Sequence, residues 1–174
     1  MSFERIDSRT AWEGHIATVY VDRVRYDDGE EADRERVSHP GAVAVVAHDG
    51  ERIYLVRQPR EAVNEPELLE LPAGKLDEEG EGPLETAKRE LAEEIGKGAK
   101  TWRHLTSFYT SPGFAEEECH VYLATDLFDQ SAETEDNERI EIVEAPLAEL
   151  DAVIDACRDA KTLVGLLWFR AFCA

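Results

Sequence analysis

The chain of 174 residues carries 39 acidic against 19 basic side chains, a net charge of −20. That balance argues against general affinity for nucleic acid or an anionic membrane, so a polyanionic partner must be met by locally placed cations. Three cysteines without metal-ligand spacing, no 18-residue apolar run and no charged-then-apolar leader make the cytoplasm the expected location and a single domain with an appended N-terminal element the expected organisation.

Residues 15–25 alternate in part between apolar and polar with β-branched enrichment, and the acidic turn Asp27, Asp28, Gly29 follows. The pattern predicts a hairpin whose return strand is 35–38. After His39, Pro40 and Gly41, residues 42–47 are a continuous apolar run suited to a buried central strand. A turn at His48, Asp49 and Gly50 leads to a strand over 52–58. An acidic, glycine-containing loop then runs from Gly74 to Gly82, and a helix starts at Pro83 and closes at Gly96. Strands are expected over 101–108 and 120–124, joined by a loop with Ser111, Pro112, Gly113, Phe114 and Glu116 to Glu118. Residues 129–137 are polar enough for a mobile loop, and 138–144 read as a last strand. From Pro146 the pattern turns helical, with Leu147, Leu150, Val153, Ile154 and Cys157 on one face, and 163–172 form a closing helix. Strands, a helix, strands and closing helices predict an α/β architecture, a mixed sheet between helices.

The helix after Pro83 holds the chemistry. At about 100° per residue, Glu90, Glu93 and Glu94 fall within an arc of roughly 100°, while Leu84, Leu91 and Ile95 cluster within about 40° on another face. Like charges at this spacing repel by a few tenths of a kcal/mol per pair, so a cation belongs there. Arg89, next in the chain, cannot neutralise three acids, whereas a hard divalent metal prefers such carboxylate oxygens. A solvated acidic face is the commoner explanation in so acidic a chain. The short upstream loop, with backbone carbonyls abutting the acids, shifts the balance to an oxygen cage for Mg2+.

In order along the chain, Gly74, Glu81, Arg89, Glu90, Leu91, Glu93, Glu94 and Gly96 resemble the box of the Nudix hydrolase family. Two departures stand out: six residues rather than five separate Gly74 from Glu81, and Lys97 replaces an apolar residue. The extra residue bears on Glu81 and leaves the relative geometry of Arg89, Glu90, Glu93 and Glu94 untouched. Pro112, sixteen residues after Gly96, resembles the proline that marks the family's ADP-ribose pyrophosphatase branch. So do the stretches 39–46, 56–58 followed by Arg60, and 70–74, although Pro59 stands where that branch usually has an aromatic.

The resemblance implies the Nudix fold, a mixed β-sheet sandwiched between helices, with an N-terminal β-hairpin extension over residues 1–38 that pairs two subunits and a catalytic domain over 39–174. It implies Mg2+-dependent hydrolysis of ADP-ribose to AMP and ribose 5-phosphate, with Mn2+ as a substitute metal. Glu90, Glu94 and the Ala73 carbonyl would hold the metal, Glu93 would share it or tune the site, and Arg89 would orient a box carboxylate. Arg60 would grip a phosphate, with Glu70, Pro112 and Gly113 on the substrate side. The general base is expected on a loop after the box: Glu138 first, Glu135 second, with Glu116 to Glu118 as the other stretch. Trp12, Phe108, Tyr109 and Phe114 are candidates to stack on the base, though core packing is the usual fate of an aromatic. A homodimer is expected by analogy. The alternatives are hydrolysis of another nucleoside diphosphate sugar, such as GDP-mannose, or a non-catalytic nucleotide sensor; sensors tend to lose box acids that this chain retains.

Overall fold

In the computed structural model the described residues are 2–130, 132 and 139–173. They form two compact units, Met1–Gly41 with Tyr109–Glu118, and Ala42–Phe108 with Cys119–Ala174.

The first unit is built on a three-stranded antiparallel meander of β1 (Phe3–Glu13), β2 (Thr18–Tyr26) and β3 (Glu31–Val37), with β2 in the middle. The expected hairpin is therefore one strand short of the observed extension. Nearly every residue of β1 is exposed, so neither face carries an apolar set, and the period-two signal that marks a strand is missing. Polar bonds tie the sheet together instead. Buried Asp22 of β2 accepts hydrogen bonds from Ser8 of β1 at 2.6 Å and from Arg36 of β3 at 2.7 Å. The bond from Arg36 holds the Asp22 carboxyl below its ordinary range against the opposing effect of burial.

The second unit holds a mixed sheet. Its strands are β4 (Ala42–His48), β5 (Arg52–Arg60), β6 (Glu65–Glu70), β7 (Ala73–Lys75), β8 (Lys97–Tyr109), β9 (Glu118–Asp129) and β10 (Glu141–Pro146), in the order β10-β5-β4-β9-β8 with β6 against β5 and β7 against β4. β4 runs parallel to β9 and antiparallel to β5 and β7. Its successive side chains point to opposite faces, and both faces are covered. Ala44 and Val46 pack with α2 (Leu150–Ala156) and α3 (Ala160–Phe172), while Val43 and Val45 pack with Ala87, Leu91 and Ile95 of α1 (Pro83–Ile95). Two covered faces are why 42–47 read as unbroken apolar rather than alternating. The helix–sheet–helix layering expected from the sequence is the architecture found.

Helix α1 begins at Pro83, whose ring pre-sets the helical φ, and stops at Gly96, which adopts φ 65°. The final helices divide more sharply than the periodicity predicts: Cys157 is extended, and Asp159 caps α3 by accepting from the Thr162 N–H at 2.9 Å. Cys157 thus leaves the helical face assigned to it, and α3 starts three residues before the predicted 163. Strands β6 and β7 had no sequence signal, one being polar with an internal proline and the other three residues long. Among the described residues no helix is long and apolar enough to cross a membrane.

Candidate active site

Sheet and helix bring the box residues together through β7 and α1. The Ala73 N–H donates to Glu94 Oε2 at 2.9 Å, and Glu94 is buried. One residue on, a Cβ at Gly74 would lie 1.9 Å from Cδ of Glu90. Only glycine lets the Glu90 side chain lie across this strand.

Arg89 gathers the remaining acids. Its Nη1 donates to Glu90 Oε1 at 2.8 Å and to Glu93 Oε2 at 2.9 Å, and its Nε donates to Glu81 Oε2 at 3.1 Å. Burial works against the guanidinium charge, but Glu90, Glu81 and Glu93 outweigh it and raise the Arg89 pKa. Glu81 reaches this cluster in spite of the extra loop residue, and it also accepts from the Thr86 hydroxyl at 3.1 Å. In the turn before the helix the Glu81 N–H bonds the Glu78 carbonyl.

The acids on this helix face offer hard carboxylate oxygens, and Gly74 leaves Glu90 room to lie across β7; that donor chemistry fits a hard divalent cation. Among the described residues no three His, Cys, Asp or Glu side chains converge at metal-ligand spacing. Glu90 and Glu93 are turned onto Arg89.

A second cluster lies at the start of α3. Arg60 grips Glu70 bidentately, Nε to Oε1 at 2.6 Å and Nη2 to Oε2 at 2.9 Å, and Glu70 has no exposed surface. Arg60 and Glu70, both expected on the substrate side, are thus each other's partner. Lys161 completes the arrangement at 2.5 Å from Glu70 Oε2 and 3.0 Å from Asp159 Oδ1. Burial pushes the Glu70 carboxyl up, yet Arg60 and Lys161 more than reverse it and leave its pKa lowered. For Lys161 burial lowers the pKa, and Asp159 and Glu70 raise it further than burial depresses it. Asp159, Lys161 and Thr162 were not singled out in the sequence. Their signal was a lysine in the first turn of an Asp-capped helix, where the macrodipole disfavours a cation.

Pro112 and Gly113 belong to the first unit, where with Tyr26, Arg36, Tyr109 and Phe114 they line a cavity of about 740 Å3. Tyr109, Phe114 and Trp12 are exposed, whereas Phe108 packs against the core of the second unit. Of the other acids, Glu116 pairs with Arg36 at 2.9 Å and Glu117 accepts from the Thr110 hydroxyl at 2.6 Å. Glu135 and Glu138, the two favoured candidates for the general base, lie outside the described residues.

Known proteins resemble the chain as a whole. The NUDIX domain model matches residues 37–164. The ADP-ribose pyrophosphatase of Bacillus subtilis (strain 168) is 41% identical over 162 residues, spanning 90% of this chain and 86% of that protein. The protein named ADP-ribose pyrophosphatase in Mycobacterium tuberculosis is 48% identical over 126 residues, 72% of this chain and 60% of its own length. A methanol dehydrogenase activator of Bacillus methanolicus is 38% identical, covering 95% of this chain and 91% of that one. A crystal structure of an ADP compounds hydrolase superposes with a TM-score of 0.87 at 23% identity, over 99% of this chain and 94% of the other, a likeness of fold. With the box residues assembled on α1 and β7, and the family model spanning most of the sequence, the chain belongs to the Nudix family.

Proposed function

We propose that the chain hydrolyses the diphosphate bond of ADP-ribose, giving AMP and ribose 5-phosphate, with Mg2+ as the metal and Mn2+ as its substitute. The observation that carries this reading is the set of box carboxylates on α1, Glu90 and Glu93 held by Arg89 and Glu94 bonded to the Ala73 N–H. Relatives named for ADP-ribose, aligned over most of the chain, support the choice of substrate.

Glu90, Glu94 and the Ala73 carbonyl would hold the cation. A divalent ion there supplies charge neutralisation to the diphosphate and lowers the pKa of a bound water. Glu94 is oriented by the Ala73 N–H, so strand and helix fix its carboxylate from two sides. Arg89 orients Glu90 and Glu93, and Glu93 tunes the site or shares the metal. Arg60 offers a guanidinium to a substrate phosphate at its exposed end, with Glu70 setting its plane. Glu138, with Glu135 as the second choice, takes the proton of the attacking water as the new P–O bond forms and the bridging P–O bond breaks.

A second reading, cleavage of GDP-mannose, draws on a GDP-mannose pyrophosphatase of Yersinia enterocolitica that is 35% identical over 102 residues. Turnover of ADP-ribose, GDP-mannose and NADH measured side by side with Mg2+ separates the two. The proposal requires the highest kcat/KM for ADP-ribose; equal rates would remove the specificity claim, and binding without product would favour a sensor.

Residues 1–38 are proposed as a dimerisation element appended to a catalytic domain over 39–174. The exposed Phe3, Trp12 and Ile16 support this, since large apolar side chains left in water on one element suit an interface. Light scattering after size exclusion reads the expected homodimer directly. The cytoplasm is the proposed location, in keeping with an odd set of cysteines of which two are buried.

A further inference from the structure

The segment Glu70–Leu71–Pro72–Ala73, which links β6 to β7 and carries the Ala73 carbonyl, is bonded from both sides. Toward α1 and the sheet, the Ala73 N–H meets Glu94 and the Pro72 carbonyl accepts from the Val45 N–H at 2.8 Å. Toward α3, the Leu71 N–H donates to the Thr162 hydroxyl at 2.8 Å, and that hydroxyl donates to Asp159 Oδ2 at 2.6 Å. Glu70 is held between Arg60 and Lys161, and Lys161 is in turn held by Asp159. The first turn of α3 therefore grips the metal-side segment through a lysine whose side chain is only 18% exposed.

Helix stability does not account for this lysine. A cation in the first helical turn opposes the macrodipole, and a largely buried ion pair is seldom more stable than an apolar pair of the same volume. Set against an apolar pair of the same volume, the arrangement has little to gain in stability; what it supplies is geometry. Arg60 also lies near enough to Glu94 for that carboxylate to strengthen its charge, after the larger effect of Glu70, so the cluster adjoins the box.

We propose that Lys161, clamped by Asp159 and Glu70, is a positioning residue that sets the Glu70–Ala73 segment, and through it the Ala73 carbonyl and the Glu94 carboxylate, for divalent-cation binding. This rests on the reading of Ala73 and Glu94 given above. Lys161 bonds Glu70 and Asp159 and acts through them.

The test uses Lys161→Met, close in length and uncharged, in the full chain. Binding of Mn2+ without substrate is followed by loss of the free-ion paramagnetic signal, and ADP-ribose kinetics are measured in parallel. Loss of a group that orients a metal ligand typically costs about 10- to 100-fold in metal affinity or activity, so Mn2+ binding is expected to weaken by about 10-fold and kcat to fall by at least as much, with KM for ADP-ribose within about threefold. If that variant does not fold, Asp159→Asn keeps an acceptor for the Thr162 N–H, removes the charge that holds Lys161, and is expected to shift both readouts the same way. Wild-type Mn2+ affinity in a folded variant overturns the inference, whether its melting point falls or not, and so does a raised KM with kcat unchanged. Glu94→Gln is run alongside. If Glu94→Gln retains both Mn2+ binding and rate, the reading of the site has failed; if it loses them while Lys161→Met does not, only the present inference falls.

Discussion

Two charged clusters of the second unit solve opposite problems. Around Arg89, the carboxylates of Glu81, Glu90 and Glu93 share one guanidinium, with Glu94 close by on the same helix. At the start of α3, Glu70 and Asp159 face Arg60 and Lys161, charge for charge. The first sets four carboxylates of the box against one guanidinium, and the second sets two acids against two cations. An unbalanced set of oxygen donors has a use for another cation, whereas a balanced one is complete and serves to hold the backbone. On the function proposed above, the difference in charge, more than the presence of acids, is what would separate a binding face from a scaffold.

Breaking the unbalanced cluster should have the largest effect. Glu94→Gln is expected to lower kcat by about 100-fold or more, equivalent to ~3 kcal/mol of transition-state stabilisation, with little change in folding stability. Steady-state kinetics with ADP-ribose and a urea melt check both halves. A near-normal rate would show that Glu94 holds no essential metal.

Adding the proposed metal should come next. Mg2+ at a hundredfold excess over its dissociation constant is expected to stabilise the wild type by about 2.7 kcal/mol, as for any ligand bound only by the folded state. Calorimetric melting with and without Mg2+ reads this, and Glu94→Gln should respond far less. An equal rise in both would place the ion elsewhere.

The balanced cluster should show itself most weakly, and through pH. Glu70 has its folded pKa held below the ordinary 4.5. The stability it contributes is therefore present above 4.5 and is lost as pH falls through the lowered folded value. Lys161 has its pKa raised above 10.5, so its contribution is present below that value and fades as pH climbs through the raised one. Denaturant melts of wild type and Glu70→Gln should differ most between these limits, with the gap closing on the acid side. A gap of constant size down to the lowest accessible pH would mean that Glu70 is not held as a charged partner.

Which parts were readable in advance follows from the same physics. Helix α1 announced itself because its oily and acidic faces both repeat at the helical period and its ends are marked by Pro83 and Gly96. The run 42–47 was legible because both faces of β4 are buried. Strand β1 was silent because it buries almost nothing, and β6 and β7 because short polar strands rely on partners elsewhere in the chain. The box carboxylates were found as a group, and the structure adds that Glu81 joins them around Arg89 in spite of the insertion. The cluster at α3 was hidden for a different reason: Glu70 and Lys161 are 91 positions apart, and no local pattern links a buried acid on one strand to a lysine on a distant helix. Its one local trace was a cation placed against a helix dipole.

The central claim is that the acidic side of α1 exists to take a divalent ion. Crystals soaked in Mn2+ and measured for anomalous scattering test it most directly. A peak at ligand distance from the carboxylates of Glu90 and Glu94 and from the Ala73 carbonyl is the expected result; density absent there, with Glu90 and Glu93 still turned onto Arg89, would contradict it.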